Sequence, residues 1–401
     1  MAGRARRLVG LSAFPNTCNL PWVLVHYRRL GMDVLPRGEA MKITNIKLTM
    51  IGWEVEPWRT ATMRFGGKTK LGIVAIDTDE GITGNAFLGG GDVSALQLMR
   101  LKPRLIDKNP LDIGAIWHEL WPSHRGIHPS VIGAVDVALW DIAGKTAGLP
   151  IHRLLGSCRT KVPAYASADW FPTAQEFADE AINFKNQGWP AYKIHPHADP
   201  KSDIEICQVV REAVGDEMVL MLDSMWSYCY EDALRVGRAI EDLDYFWYED
   251  PLQEEDIYNY VKLKQKLDIP MLNTEFAPGG FYGMQQWVQQ QATDMLRGDV
   301  AVCGGITPLL KIAHMAEGFH MKCEIHHGGN SLNNVANLHV TMAIPNCDYY
   351  EVFPCSGANK YALVNDIEVD SNGFVHAPEG DGLGVEIDWN LVEEKTIQSY
   401  E

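Results

Sequence analysis

From about Lys161 the chain repeats one pattern: a short apolar stretch, a polar residue that closes it, then a helix-length stretch with one apolar face. The short stretches read VPAYAS, AYKIH, VLMLD, YFWYED, PMLNTE, DMLRGDVAV, KCEIHH and YYEVF. Between them lie AQEFADEAINFKNQG, DIEICQVVREAVG, YEDALRVGRAIED and IYNYVKLKQKL, whose apolar residues recur at helical spacing. Strands joined through helices pair in parallel. Eight such strands predict an α/β fold, a TIM-like (β/α)7β barrel over 161–356, rather than an open sheet. In such a barrel the polar residues that end the strands line the mouth.

The chain before the barrel is organised differently. KITNIKLTMI and LGIVAIDTDEGITG read as antiparallel strands with a turn at Asp79–Gly81. SALQLMRLKPRLI, DIGAIWHELW and SVIGAVDVALWDIAGKTA have helical spacing, and Gly148 and Pro150 stop the last of them. Residues 41–160 are therefore expected to form an α+β module. The tail, 357–401, returns to strand-like alternation in NDIEVDSNGFVHAP and is expected to pack back on that domain. Residues 1–40 carry Arg4, Arg6, Arg7, Arg28, Arg29 and Arg37 against Asp33 and Glu39, with no clear period. They are read as a non-native or disordered extension ahead of a start at Met41, and lack the serine richness of a targeting peptide.

The strand ends in order give Lys193 and His195, then Asp223, Glu249, Glu275, Asp299, His326 or His327, and Glu351. Asp223, Glu249 and Glu275 each close an apolar run, one βα unit apart. Their spacing alone is weak evidence; their place at successive strand ends is what supports a shared metal. Three hard oxygen ligands without cysteine suit Mg²⁺ better than zinc. Lys193 and His195 are two apart on one strand, so both side chains enter the same face. A lysine beside a divalent cation and a second cationic group is expected to have a lowered pKa, which suits a general base. Asp299 and the consecutive His326 and His327 end neighbouring strands, and a carboxylate can fix an imidazole's tautomer. Consecutive residues point to opposite faces, so one of the two histidines enters the site.

A formal net charge of −17 argues against a nucleic-acid partner. No run reaches the roughly 20 apolar residues that span a bilayer. The eight cysteines are scattered, without CxxC pairs, and fit a reduced, cytoplasmic protein. If the first module caps the barrel, as the resemblance given below implies for residues 41–160, its segments PWRTATMRFGGK and FLGGGDVS would close over a substrate, with Trp58, Arg59 and Arg64 as candidate contacts.

These residues resemble the enolase superfamily, mandelate racemase/muconate lactonizing enzyme group, with its acid-sugar dehydratases. AVDVALWDIAGKTAGLPIHRLLG looks like the helix that joins capping domain to barrel, FWYEDPL like the second metal-ligand strand, and DVAVCGGIT like the sixth strand with its dyad Asp. The resemblance covers nearly the whole chain from Met41. It implies Mg²⁺ on Asp223, Glu249 and Glu275, and a dyad of Asp299 with His327. It also implies a role for Glu351 near the substrate carboxylate. Two positions depart from the family pattern: Lys193-x-His195 stands where Lys-x-Lys is frequent, and Met225 where Asn is common. The implied activity is dehydration of an aldonate or aldarate to a 2-keto-3-deoxy acid. A racemase, epimerase or cycloisomerase acting through the same α-proton, and a non-catalytic barrel, are the alternatives. A small-molecule carboxylate is the expected partner, with no membrane and a homo-oligomeric state.

Overall fold

A computed structural model describes residues 40–59, 64–354 and 360–401, without the side chains of 57–59 and 64–65. The expected extension over 1–40 thus lies outside the described residues except for Ala40. So do the side chains of Trp58, Arg59 and Arg64, although the backbone there pairs Trp58 with Phe65 and Arg59 with Arg64.

The first module is an antiparallel sheet of β1 (Ile43–Arg59), β2 (Arg64–Thr78) and β3 (Thr83–Leu88). The turn between β2 and β3 falls at 79–81 as expected. Helices Gly91–Leu101, Ile113–Leu120 and Pro129–Ala147 follow. Helix 129–147 is buried nearly all round, including Val131, Ala134, Val135, Ala138 and Ile142, because it is sandwiched between this sheet and the barrel.

Eight parallel strands then form the barrel: β4 (Lys161–Ser167), β5 (Ala191–Ile194), β6 (Val219–Asp223), β7 (Tyr248–Glu249), β8 (Met271–Asn273), β9 (Met295–Gly298), β10 (Lys322–Ile325) and β11 (Tyr350–Val352). Their hydrogen-bonded order is β10-β9-β8-β7-β6-β5-β4-β11, a nearly closed ring. Several helices between them bury one stripe, whereas Ser331–Ala343, between β10 and β11, is buried on nearly every residue. In Tyr230–Asp242 that stripe is Ala233, Val236, Gly237 and Ile240, one side of a 3.6-residue period. Thr173 and Glu176 form a reciprocal cap at the start of helix Ala174–Asn186.

Two elements differ from the sequence reading. The run DMLRGDVAV stops as a strand at Gly298: the Asp299 carboxylate accepts from Ala301 N and starts the short helix Val300–Cys303. The valines favour a longer strand, but the capping Asp299 outweighs their propensity. In the tail, β12 (Phe374–His376) pairs with the start of β4 rather than with the first sheet. The return to the first module is made later, by β13 (Thr396–Tyr400) along β1.

The barrel interior is layered. Tyr165, Ala191, Met221, Trp247, Leu272 and Met295 form an apolar floor. Two residues further along the same strands come Ser167, Lys193, Asp223, Glu249 and Arg297, all buried. Strand alternation puts them on the same inner face, so the apolar floor is followed directly by a polar layer.

Candidate active site

Register brings the key carboxylates together. Asp223 pairs with Glu249 across β6 and β7. Glu275 arrives differently, since Leu272 faces inward and simple alternation would present Thr274. Thr274 instead takes φ 88°, a left-handed conformation that β-branched residues rarely adopt, and the next side chain turns into the mouth. Its hydroxyl accepts from Arg297 N at 3.0 Å and donates to Arg297 O at 3.2 Å, which holds the strained turn. Met225, Trp226 and Asp250 also have positive φ just past β6 and β7. Such strain collects where surrounding structure over-determines the backbone.

Lys193 is buried beneath these acids. Its Nζ lies 2.7 Å from Glu351 Oε1, 3.2 Å from Glu249 Oε2 and 3.4 Å from Asp223 Oδ2. Burial alone would lower its pKa, yet Glu249 and Glu351 pull it well above the ordinary lysine value. The lowering expected from sequence belongs to a lysine beside a divalent cation; the protein groups around Lys193 are anions and act in the opposite direction. Asp223 is opposed by burial too, but Lys193 and His195 hold it below the usual carboxylate range. Glu249 is pushed up by burial.

His195 lies at the next inward position on the Lys193 strand. Its Nδ1 donates to Ala168 O at 2.8 Å, since a carbonyl can only accept. That leaves Nε2 toward the acids, 3.2 Å from Asp223 Oδ2. Phe353 stacks along the ring at 5.9 Å.

On the far side, His326 Nδ1 is 2.9 Å from Asp299 Oδ2, and His326 Nε2 is 3.5 Å from Glu275 Oε1. Burial opposes protonation of His326, but Glu275 and the bond to Asp299 raise it to about 9. The expected dyad of Asp299 with His327 is therefore corrected to Asp299 with His326. The reason is parity: Glu324 is an inward, buried position, so His326 shares its face and His327 points away. His327 is buried against Tyr350, with ring centroids 3.7 Å apart, and burial holds it well below the ordinary imidazole pKa.

Glu351 is not open to a substrate. Ser167 Oγ donates to its Oε1 at 2.8 Å, beside Lys193. Arg297 Nη2 and His327 N meet its Oε2 at 2.6 and 3.2 Å. The residue holds cations under the mouth, and Lys193 and Arg297 keep it well below the ordinary carboxylate range against the effect of burial.

Three residues absent from the sequence-based set belong here. Arg297, wholly buried, bridges Glu249 and Glu351. Asp250 lies with Glu249 and Glu275 in a cluster whose candidate ligand oxygens are all within 4.8 Å of one another. Its Oδ1 also accepts from Asn273 Nδ2 at 3.2 Å. Asn337 donates to His326 O and accepts from Val300 N, which ties the ends of β9 and β10 together. Arg297 had a readable signal, a lone charge inside an apolar strand; Asn337 lies mid-helix and had none.

Among the described residues no helix is long and apolar enough to cross a membrane. Comparisons with known proteins agree with the architecture. Residues 43–156 match the family described as "Mandelate racemase / muconate lactonizing enzyme, N-terminal domain", and residues 176–391 match "Enolase C-terminal domain-like". Arabinonate dehydratase of Saccharolobus solfataricus is 29% identical over 340 residues, 81% of this chain and 90% of that protein. D-galactarolactone cycloisomerase of Agrobacterium fabrum is 29% identical over 375 residues, 88% and 98% of the two chains. The crystal structure of D-glucarate dehydratase from Agrobacterium tumefaciens complexed with magnesium has a TM-score of 0.81 at 30% identity, covering 89% of this chain and 99% of that one.

Proposed function

The chain belongs to the mandelate racemase/muconate lactonizing enzyme family, with an enolase-like C-terminal domain, and from that premise we propose that it is a Mg²⁺-dependent acid-sugar dehydratase. The observation that carries the reading is a pair of imidazoles flanking one acidic cluster. His195 Nε2 faces Asp223, and His326 Nε2 faces Glu275. Each ring has its other nitrogen on a fixed acceptor, Ala168 O or Asp299. Proton transfer on two sides of a bound carboxylate needs this arrangement.

Asp223, Glu249 and Glu275 are the residues that would hold the cation. The charges fit: the buried carboxylates Asp223, Glu249, Asp250, Glu275 and Glu351 outnumber the two buried cations among them, Lys193 and Arg297, and unmatched acidic groups remain. A divalent ion would offset part of this excess, and an all-oxygen donor set suits Mg²⁺. When bound, it supplies positive charge against the negative charge a carboxylate substrate gains on losing its α-proton.

The protein residues divide the remaining work. Lys193 stays charged and holds Glu351 and the acids in place. One of His195 and His326 takes the α-proton; the other gives a proton to the departing β-hydroxyl. Asp299 fixes His326 with Nε2 toward the reacting face. Loss of water leaves an enol that ketonises to a 2-keto-3-deoxy acid. The dehydratases among the relatives support elimination. The cycloisomerase relative supports a second reading, in which the same two imidazoles move a proton without expelling water.

A panel of aldonates and aldarates, assayed by semicarbazide trapping of keto product, tests this. Activity should vanish in EDTA and return with Mg²⁺. Solvent deuterium entering the α-carbon with no keto product would favour the isomerase reading, and turnover that survives metal removal would end both.

A further inference from the structure

Arg297 is 0% exposed, two residues before Asp299 on the inner face of the barrel. A buried guanidinium is costly unless anions meet it. Here Nε is 2.8 Å from Glu249 Oε1 and 3.5 Å from Glu275 Oε2, and Nη2 is 2.6 Å from Glu351 Oε2. Arg297 thus touches two of the three carboxylates assigned to the cation, and also the carboxylate that anchors Lys193. The proposed chemistry gives it no task, and it is sealed from the mouth by the acids above it.

The geometry points to Arg297 as the standing counter-ion of the site, a positioning residue that keeps Glu249 and Glu351 paired and in place whenever no divalent cation is bound. The inference rests on the preceding reading only in taking Glu249 and Glu275 as cation ligands. Without Arg297, Lys193 would be the one buried cation against Glu249 and Glu351, and carboxylates this close would have to take up protons or move apart. A guanidinium suits the task because its charge is spread over a plane wide enough to hydrogen-bond Glu351 through Nη2 while Nε stands against Glu249 as an ion pair, whereas an ammonium is a single point. The cradle is then already formed when the cation arrives, as preorganisation requires.

This separates Arg297 from an ordinary structural arginine. A structural arginine would be needed equally with and without the cation. A counter-ion is needed most without it, since a bound cation takes over part of its charge. Thermal unfolding of the full chain, wild type, Arg297→Met and Arg297→Lys, in EDTA and in saturating Mn²⁺ tests the difference, with Mn²⁺ binding followed by calorimetry. Arg297→Met should lose many degrees in EDTA and recover much of the loss in Mn²⁺, so that its metal-induced shift in Tm is at least about twice that of wild type. Arg297→Lys, which keeps charge but not the planar group, should fall between. If Arg297→Met does not fold in EDTA, refolding from denaturant in Mn²⁺ is the expected result, and no refolding there overturns the idea. Equal losses in both media, or a variant as stable as wild type in EDTA, also overturn it. A wild type that binds no Mn²⁺ would refute the cation assignment instead; Arg297→Met stability in EDTA would still decide the counter-ion role.

Discussion

His326 and Asp299 are joined Nδ1 to Oδ2 at 2.9 Å, while His327, the next residue, turns its ring against Tyr350 and leaves Nε2 without a hydrogen bond. Two identical side chains in sequence therefore have unlike tasks. His326→Asn should lower kcat by about 10²–10⁴, the usual range for losing an acid–base group. His327→Asn should lower Tm while leaving kcat within about tenfold. Steady-state assays with thermal melts check both, and the reverse pattern would return the dyad to His327.

The two flanking imidazoles should fail differently. If one takes the α-proton and the other protonates the leaving hydroxyl, only one single variant, of His195→Gln and His326→Asn, abolishes exchange of the α-hydrogen with D₂O. The other should exchange without eliminating water. NMR of substrate recovered from each reaction distinguishes them; exchange at wild-type rate in both would remove the two imidazoles from the chemistry.

Gly133 on helix 129–147 lies where a β-carbon would sit 2.5 Å from Val300 O and 3.1 Å from Gly305 N. Both contacts are backbone, so neither can swing aside. Gly133→Ala should destabilise by about 1–3 kcal/mol despite alanine's better helix propensity. Because Val300 follows Asp299, kcat should also fall. Urea unfolding and the keto-acid assay measure the two effects, and a more stable, fully active variant would contradict the contact.

Asp136, on the same helix, accepts from Thr307 N at 2.9 Å, and burial raises its carboxyl to about 7 from the usual 3.8. Between those values the folded chain keeps a proton that the unfolded chain has released. Stability should therefore fall as pH rises from about 4 to 7, at up to about 1.4 kcal/mol per unit from this group, and level off above. Asp136→Asn should flatten that part of the curve. Denaturant titrations from pH 5 to pH 8 read the slope, and an unchanged slope in the variant would assign it elsewhere.

The barrel was legible because its strands are short, apolar and ended by polar residues, and because period-2 alternation fixes which side chains share a face. Lys193 with His195, and Asp223 beside Glu249, follow from that rule alone. Glu275 reached the mouth by breaking it: the positive φ of Thr274 has no signature in a β-branched residue. The choice between His326 and His327 needed the inward position of Glu324, a buried acid that reads in sequence as an ordinary strand polar. Arg297 was readable in principle, since a charge within DMLRG demands buried anions. Asn337 depends on the middle of helix Ser331–Ala343 meeting the ends of two strands, which no local pattern records. Trp58, Arg59 and Arg64 lie where the structure describes no side chains.

Helix 129–147 has close contacts on two sides. Gly133 meets the loop after β9, and Gly84 of β3 lies so near the helix that a β-carbon there would be 2.1 Å from Ala138 O. Grafting a relative's capping segment to change substrate preference must therefore respect a seam. A crossover inside this helix would mismatch one face or the other, whereas exchanging the β1–β2 hairpin alone leaves both intact. The units available for recombination in this chain are set by these missing β-carbons as much as by the boundaries between its modules.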